Sequence, residues 1–261
     1  DDKPANNFTY FKKQAGDWAE AKNWDKKKVP AEGDDAIIRD NASATLSVKV
    51  PTVRLLGVGG VGFSTLTVSQ GGHLEVLGKL HVNRNGKNTT ALLFIDGGYV
   101  RLGTDEKDRL ARMELGTSVT HACKAWTKIN GGTLEGSICV GQKLPGAAAG
   151  TLSINGSTPS VSGKIARDIL LVYPTGTLEF ILDKDGVACA DYSKTTARLL
   201  KGATLIVEGG AYDGGAKIIP PVLGKKFSND GAQVRCTEFK PNYAAQVTFD
   251  NRGAFLRIKT K

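Results

Sequence analysis

The chain is poor in the residues on which most enzymatic and metal-binding signatures depend. It has three histidines, one methionine and four cysteines, and no two cysteines form a Cys-x-x-Cys pair. A Gly-x-Ser-x-Gly sequence, which marks the exposed nucleophile of many serine hydrolases, is absent. No apolar run approaches the roughly 20 residues that a membrane-spanning helix needs. These absences exclude a standard serine-hydrolase elbow, a zinc-finger pattern and a membrane span in this sequence.

Positive charge is in excess but is not concentrated. Lysine and arginine total 35 against 26 acidic residues, which gives a formal net charge of +9 over 261 residues. A surplus of this size favours anionic partners. The one tight basic cluster is Lys26–Lys28, and no zinc-finger spacing, RNP-type aromatic motif or basic helix accompanies it. The sequence therefore predicts no nucleic-acid partner and keeps acidic polysaccharide as a candidate.

A short alternating segment interrupted by glycine recurs along the chain. It reads LTVSQGGHLEV at 66–76, LLFIDGGYVRL at 92–102 and TKINGGTLEG at 127–136, with weaker copies at 152–156, 170–180 and 198–207. The copies recur every 20 to 34 residues when they are aligned on Gly72, Gly98, Gly132, Gly156, Gly176 and Gly202. Such a period indicates stacked structural units that bury a shared core.

The alternation of apolar and polar residues within each copy is typical of half-buried strands. Glycine between the strands permits positive φ and a sharp bend. We therefore predict an all-β fold, a right-handed parallel β-solenoid (β-helix) with capped ends. A β-sandwich or jelly roll is the alternative, since Gly-Gly dipeptides also suit hairpins. The best helical candidate is Thr104–Leu115, interpreted as an insertion on one coil.

The two ends differ from the middle in sequence. We predict one solenoid domain over 1–261, with an N-terminal segment and cap at 1–50, repeat coils at 51–204 and a closing segment at 205–261. Trp18 and Trp24 are interpreted as an aromatic cap on the first coil, because terminal repeats must cover exposed core. The alternative for these two rings is stacking on carbohydrate.

Both ends also carry a family resemblance. The N-terminal pattern is GDWAEAKNW, then VP, then GDDAII, and the tail contains LIVEGGAYDGG and VTFD. Together with the glycine-rich repeats, this resembles secreted bacterial β-helical repeat proteins of the autotransporter-like and PEP-CTERM-associated type. The resemblance implies a secreted protein, extracellular or at the cell surface. In that setting Cys123, Cys139, Cys189 and Cys236 are disulfide candidates with three possible pairings, and buried free thiols are the alternative.

The leading functional hypothesis is a structural or adhesive subunit of an extracellular assembly. Repeats build an elongated body suited to assembly, so the expected partner is another copy, in a homo-oligomer or a filament. Phe8, Tyr10 and Phe11 form an aromatic start that no repeat explains. We expect self-association through the ends of the solenoid or through this segment, which would pack on a neighbouring subunit or add a strand to it. The alternative is that the segment caps its own first coil.

The second hypothesis is a carbohydrate-active β-helix, either a lyase or a binder of acidic polysaccharide. A lyase needs a base near the sugar C5 and a cation that neutralises the uronate carboxylate. The weak binding candidates are Lys79, Arg84, Lys87 and Arg101, which would form a basic strip if adjacent coils align. The sequence predicts no catalytic residue, no metal site and no cofactor.

Overall fold

Successive β-strands, joined by short turns, account for most of the fold. The computed structural model describes residues 7–83, 87–103, 111–118, 121–143 and 148–261. One short 3-10 helix lies at Ala21–Asn23. The strands are β1 (Phe8–Phe11), β2 (Ala15–Asp17), β3 (Asp35–Ile38), β4 (Ser43–Leu46), β5 (Leu55–Val58), β6 (Phe63–Ser69), β7 (His73–Val76), β8 (Lys79–Val82), β9 (Thr89–Asp96), β10 (Tyr99–Leu102), β11 (Arg112–Leu115), β12 (Cys123–Asn130), β13 (Thr133–Glu135), β14 (Ile138–Val140), β15 (Ala149–Asn155), β16 (Ser160–Ser162), β17 (Ile169–Val172), β18 (Gly176–Ile181), β19 (Ala190–Leu199), β20 (Thr204–Glu208), β21 (Lys217–Asn229), β22 (Gln233–Thr237), β23 (Tyr243–Asp250) and β24 (Gly253–Thr260).

The strands stack into three parallel ladders, which we call the first, second and third faces. The first face is β2-β4-β6-β9-β12-β15-β18-β20-β22. The second face contains β7-β10-β13-β16, and the third contains β1-β3-β5-β8-β11-β14-β17. Strand β19 joins the last two, since Ala190 pairs with β16 and Ala197 with β17. Its pairing with β21 has a register shift between Tyr192 and Thr196.

This arrangement is a parallel β-solenoid, so the predicted fold class is confirmed. Along most of the chain, each coil adds a strand to each face and pairs in parallel with the coils above and below, which a sandwich built from hairpins would not do. The right-handed turn of the coil remains a prediction, in line with the strong preference for right-handed parallel crossovers.

The core consists of continuous rows of inward-facing side chains. One row of the first face is fully buried from β4 to β20, because alternate residues of a strand point to the same side. This row is Leu46, Val68, Ile95, Ile129, Ile154, Phe180 and Val207. Each coil thus covers the apolar side chains of its neighbours, and most of the intervening residues of the first face reach solvent, with Ser153 a buried exception.

The glycine alignment is correct for some repeats and wrong for others. Gly97 has a φ of 77°. A Cβ on Gly98 would lie 2.6 Å from the Val68 carbonyl oxygen, so that corner between the first and second faces requires glycine. Gly176 begins β18 and Gly202 precedes β20, which places both at the corner between the third and first faces. The alternating pattern is similar on either side of both corners, so it does not reveal which corner a glycine occupies.

The N-terminal end is closed by aromatic side chains. Trp18 and Trp24 are fully buried and pack edge to face at 4.8 Å between ring centroids. Phe11 packs against Trp24 at 5.2 Å, and Trp24 Nε1 donates a 2.8 Å hydrogen bond to the Trp18 carbonyl oxygen. The rings therefore cap the first coil. Stacking on carbohydrate is wrong for these two residues, because neither ring reaches solvent.

The C-terminal end carries an antiparallel sheet of β21, β24 and β23. Its buried side chains, Ile219, Val222, Leu256 and Ile258, join the solenoid core. Parallel coil strands also extend beyond the interval 51–204, with β3 and β4 before it and β20 and β22 after it.

The prediction of a helix at Thr104–Leu115 is wrong for the part of this segment that the structure describes. Arg112–Leu115 is β11, and its residues pair in parallel with Lys79–Val82 of the preceding coil. Residues 104–110 lie outside the described residues. The ladder overrides local helix propensity here, because Met113 and Leu115 fill inward core positions. Within the described ranges no helix has the length and apolarity to cross a membrane.

Candidate functional site

The outer side of the first face carries large apolar side chains in its central coils. Trp126 is 45% exposed and Phe63 is 52% exposed. Leu92 lies directly beside Trp126 in the ladder, and Phe94 lies beside Lys128. The side chains of Leu92, Phe94, Trp126 and Lys128 line a hollow of about 190 Å³. We call these four residues the aromatic hollow.

Hydrogen-bonding groups surround the aromatic hollow. Thr65 and Thr151 flank Leu92 and Trp126 in the same outward row. At the far edge of the face, Asn130 Nδ2 donates a 2.7 Å hydrogen bond to Asp96 Oδ1, and Asn155 Nδ2 donates to Asn130. The region therefore combines an accessible indole with hydroxyl, amide and ammonium groups.

A polar cluster lies on the outer side of the second face. Tyr99 Oη donates a 2.6 Å hydrogen bond to Glu135 Oε2, and Lys164 Nζ donates to Glu135 Oε1 at 2.9 Å. His73 Nε2 lies 3.0 Å from Glu75 Oε1, and the His73 and Tyr99 rings are 4.5 Å apart. Coils stack side chains from distant positions of the chain into this cluster.

The surroundings of Tyr99 keep its phenol protonated, so that it acts as a hydrogen-bond donor and not as a base. Burial and the hydrogen bond to Glu135 raise the pKa of Tyr99 to about 12. Burial by itself would raise the pKa of Glu135, but hydrogen bonds from Tyr99 and Lys164 hold it below its usual value. At neutral pH the phenol is therefore a proton donor and the carboxylate is charged.

The third face holds a more buried ionic cluster. Glu114 lies 3.2 Å from Lys79 Nζ, 3.2 Å from His81 Nδ1 and 2.6 Å from Arg112 Nε. Burial opposes ionisation of Glu114, but the hydrogen bonds and charges of His81 and Arg112 outweigh it and hold the pKa well below its usual value. Glu114 is therefore a charged, structurally engaged carboxylate.

The predicted basic strip is not assembled from the residues that the structure describes. Lys79 is on the third face, paired with Glu114, whereas Arg101 is on the second face between Glu75 and Glu135. The turn between β7 and β8 separates the two faces. Lys87 is exposed on the connection to the first face, and Arg84 lies outside the described residues.

The N-terminal aromatic residues have three different environments. Phe11 is buried in the cap, Tyr10 is half-buried and Phe8 is 40% exposed. The outer edge of β1 is covered at Tyr10, whose amide donates to Asp25 Oδ1 at 3.0 Å and whose carbonyl accepts from the Asp25 amide at 2.9 Å. The segment pairs with β3 of its own chain. Phe8 is therefore the most accessible of the three.

All four cysteines are free thiols, so none of the three disulfide pairings is present. Cys123 belongs to β12 of the first face and Cys139 to β14 of the third. The two cysteines are close in sequence but lie on different faces. In the described ranges, no three His, Cys, Asp or Glu side chains gather in a way that could hold a metal ion.

Sequence reasoning missed Trp126, although a signal for it exists. In the strand CKAWTKIN, Trp126 has the same parity as Lys124 and Lys128 and the opposite parity to Ala125 and Ile129. Such parity predicts an outward-facing tryptophan.

Comparison with known proteins adds no family context, because no family model, curated protein or solved structure matches the chain.

Proposed function

We propose that the protein is an adhesive β-solenoid that binds acidic polysaccharide through the first face. The exposed indole of Trp126 in the aromatic hollow carries this proposal. An indole presents a large rigid apolar surface at low entropic cost, which suits the C–H face of a sugar ring. Lys128 supplies a cation beside that surface, where it can attract a carboxylate of the glycan.

The surroundings of the hollow also fit an extended glycan better than a small apolar ligand. Thr65 and Thr151 continue the row of Leu92 and Trp126 onto neighbouring coils. Their hydroxyls offer hydrogen bonds to sugar hydroxyls along the solenoid axis. The formal net charge of +9 further favours a polyanion through long-range attraction. A secreted or cell-surface location follows from this role and belongs to the proposal.

The test is affinity electrophoresis of the protein through gels containing polygalacturonate, a polymer of acidic sugars. We expect Trp126→Ala to weaken binding at least tenfold, because stacking on the exposed ring is lost. Phe8→Ala is the matched control, since it removes an exposed aromatic ring from the third face. A neutral glucan gel measures the contribution of charge. Retention that is unchanged by Trp126→Ala contradicts the proposal.

Self-association remains a second role, with Phe8 as its accessible residue. A hollow of about 220 Å³ on the third face is lined by Phe8, Ile37, Leu55 and their neighbours. A second copy that packs there would bury this apolar surface. We expect Phe8→Asp to lower the mass measured by light scattering. Deleting the whole segment is a poorer test, because Phe11 belongs to the cap and its loss would unfold that end.

A lyase activity on the same polysaccharide is favoured by one observation, the cluster of His73, Tyr99, Arg101 and Lys164 on the second face. These groups bring together an imidazole, a phenol that donates a hydrogen bond to Glu135, and two basic side chains. Incubation with polygalacturonate and measurement of ultraviolet absorbance would detect the unsaturated product of elimination. Absorbance that grows with the wild type and not with His73→Ala would support cleavage.

A further inference from the structure

A separate pocket of about 170 Å³ opens on the third face, near its corner with the first face. Strand β11 contributes Arg112 and the loop after it Thr117, while the segment after β14 contributes Gln142 and Lys143. Tyr173, which follows β17, lines the same pocket. Three successive coils therefore supply its walls, and the aromatic hollow includes none of these residues.

The pocket carries a surplus of positive charge. Glu114 is the acidic residue of the lining, and Lys79, His81 and Arg112 already surround it at 3.2 Å or less. Lys143 adds an exposed ammonium group without a balancing carboxylate in the described part of the chain. Burial raises the pKa of the Cys139 thiol to about 11, so that group remains uncharged at neutral pH.

Polar groups of the pocket also lack partners. Gln142 is only 6% exposed, and its side-chain carbonyl oxygen has no hydrogen bond among the described residues. The buried hydroxyl of Thr117 likewise has no hydrogen-bond partner among the described residues. Within the described ranges, the Arg112 side chain donates a hydrogen bond to Glu114 through Nε. Its terminal N–H groups are left for another acceptor. Buried polar groups in folded proteins normally have partners, so these point to a ligand.

We propose that this pocket binds one hexuronate unit, a sugar that carries a carboxylate. The Arg112 guanidinium and the Lys143 ammonium receive the carboxylate, since arginine presents parallel N–H groups that match two carboxylate oxygens. The Gln142 amide and the Thr117 hydroxyl bind sugar hydroxyls. The choice of an acidic sugar rests on the proposed function, whereas the pocket itself is independent of the aromatic hollow.

The first experiment is an NMR titration of the full chain with monomeric galacturonate. We expect saturable shifts of the amide signals of Gly141–Lys143 and Thr117, with galactose at least tenfold weaker because it lacks the carboxylate. Inorganic sulfate separates a simple anion site from a sugar site, since it should compete without matching the affinity of galacturonate. Equal affinity for galactose, tighter binding of sulfate, or shifts confined to other residues would overturn the proposal.

Two conservative variants test the roles of the lining residues. Thr117→Val keeps the shape and removes the hydroxyl, and we expect affinity for galacturonate to fall about fivefold, the equivalent of one hydrogen bond. Arg112→Lys keeps the charge that pairs with Glu114 but loses the fork, and we expect a loss of about tenfold. Thr177→Val on the first face is the matched control. Melting temperatures verify folding, and unchanged affinity in both pocket variants contradicts the assignment.

The outcomes separate this inference from the proposed function. If Trp126→Ala abolishes retention by polygalacturonate while galacturonate leaves the pocket signals unshifted, the adhesive role stands and the uronate pocket fails. If galacturonate binds in the pocket while Trp126→Ala leaves retention unchanged, the pocket stands and the role of the aromatic hollow fails.

Discussion

The three tryptophans divide between two regions, the N-terminal cap and the first face. Trp18 and Trp24 contact each other inside the cap, and Trp24 also contacts Phe11, where solvent does not reach the two indoles. Trp126 lies on the outer side of a central coil and leaves 45% of its surface accessible. The same residue type thus closes the core in one region and remains available to a ligand in the other.

The difference arises from position in the coil. An end coil has no neighbour on one side, so large rings are needed to cover its exposed core. A central coil is already covered above and below, and an outward tryptophan there adds nothing to the core. An outward tryptophan in that position therefore indicates binding more strongly than either tryptophan of the cap.

The largest effect should come from opening the cap. We expect Trp24→Ala to lower the free energy of unfolding by about 3–5 kcal/mol, the usual cost of truncating a buried aromatic residue. The hydrogen bond to the Trp18 carbonyl oxygen is lost as well. Urea denaturation measures the change. Trp126→Ala is the matched control, and its free energy of unfolding should stay within about 0.5 kcal/mol of the wild type, as expected for an exposed site. Similar losses in both variants would mean that Trp126 contributes to stability as much as the cap does.

A second pair of variants compares a buried carboxylate with an exposed one. Glu114→Gln removes the carboxylate around which Lys79, His81 and Arg112 gather. We expect a loss of about 2–3 kcal/mol, below the full cost of breaking a buried pair because Lys79 and Arg112 are partly exposed. Glu32→Gln, at an exposed position, should change the stability little by the same urea measurement.

The same variant makes a prediction about pH. The folded-state pKa of Glu114 is depressed, so its contribution is present above the ordinary carboxyl value near 4.5 and declines as the pH falls below it. The stability difference between the wild type and Glu114→Gln should therefore narrow as the pH is lowered from 5 toward 3. Denaturation at a series of pH values measures this. A difference that widens in acid would mean that Glu114 is not held ionised by its partners.

The smallest effect concerns the inner side of the strand that carries Trp126. Thr127 interrupts a buried row of leucines, and its hydroxyl has no hydrogen-bond partner among the described residues. We expect Thr127→Val to raise the free energy of unfolding by about 1 kcal/mol, because an unsatisfied buried hydroxyl is removed without a change of shape. Thr65→Val, on the outer side of the same face, is the control. A destabilised Thr127→Val would reveal a partner for the hydroxyl.

Much of the fold could be predicted from the sequence, and much less of the candidate site. The alternation in LTVSQGGHLEV indicates which side chains point inward. Trp18 and Trp24, near the chain start, indicate a cap. The basic strip of Lys79 and Arg101 could not be judged in the same way. Its formation depends on which face each strand joins, and the turn between β7 and β8 separates the two residues.

Most strands and the outward parity of Trp126 can be deduced from the sequence, since they follow from a period of two along the chain, and the stacking of coils follows from the recurring glycines. Strand β11 is an exception, because its sequence suggested a helix. The corner that each glycine occupies and the strands that lie side by side are known from the folded structure alone. Thus Leu92 pairs with Trp126 in the ladder of the first face. Arg112, Gln142 and Tyr173, from three coils, line one pocket. The physical reason is that the register between coils depends on the varying lengths of the corner loops, whereas the pattern within a strand is local.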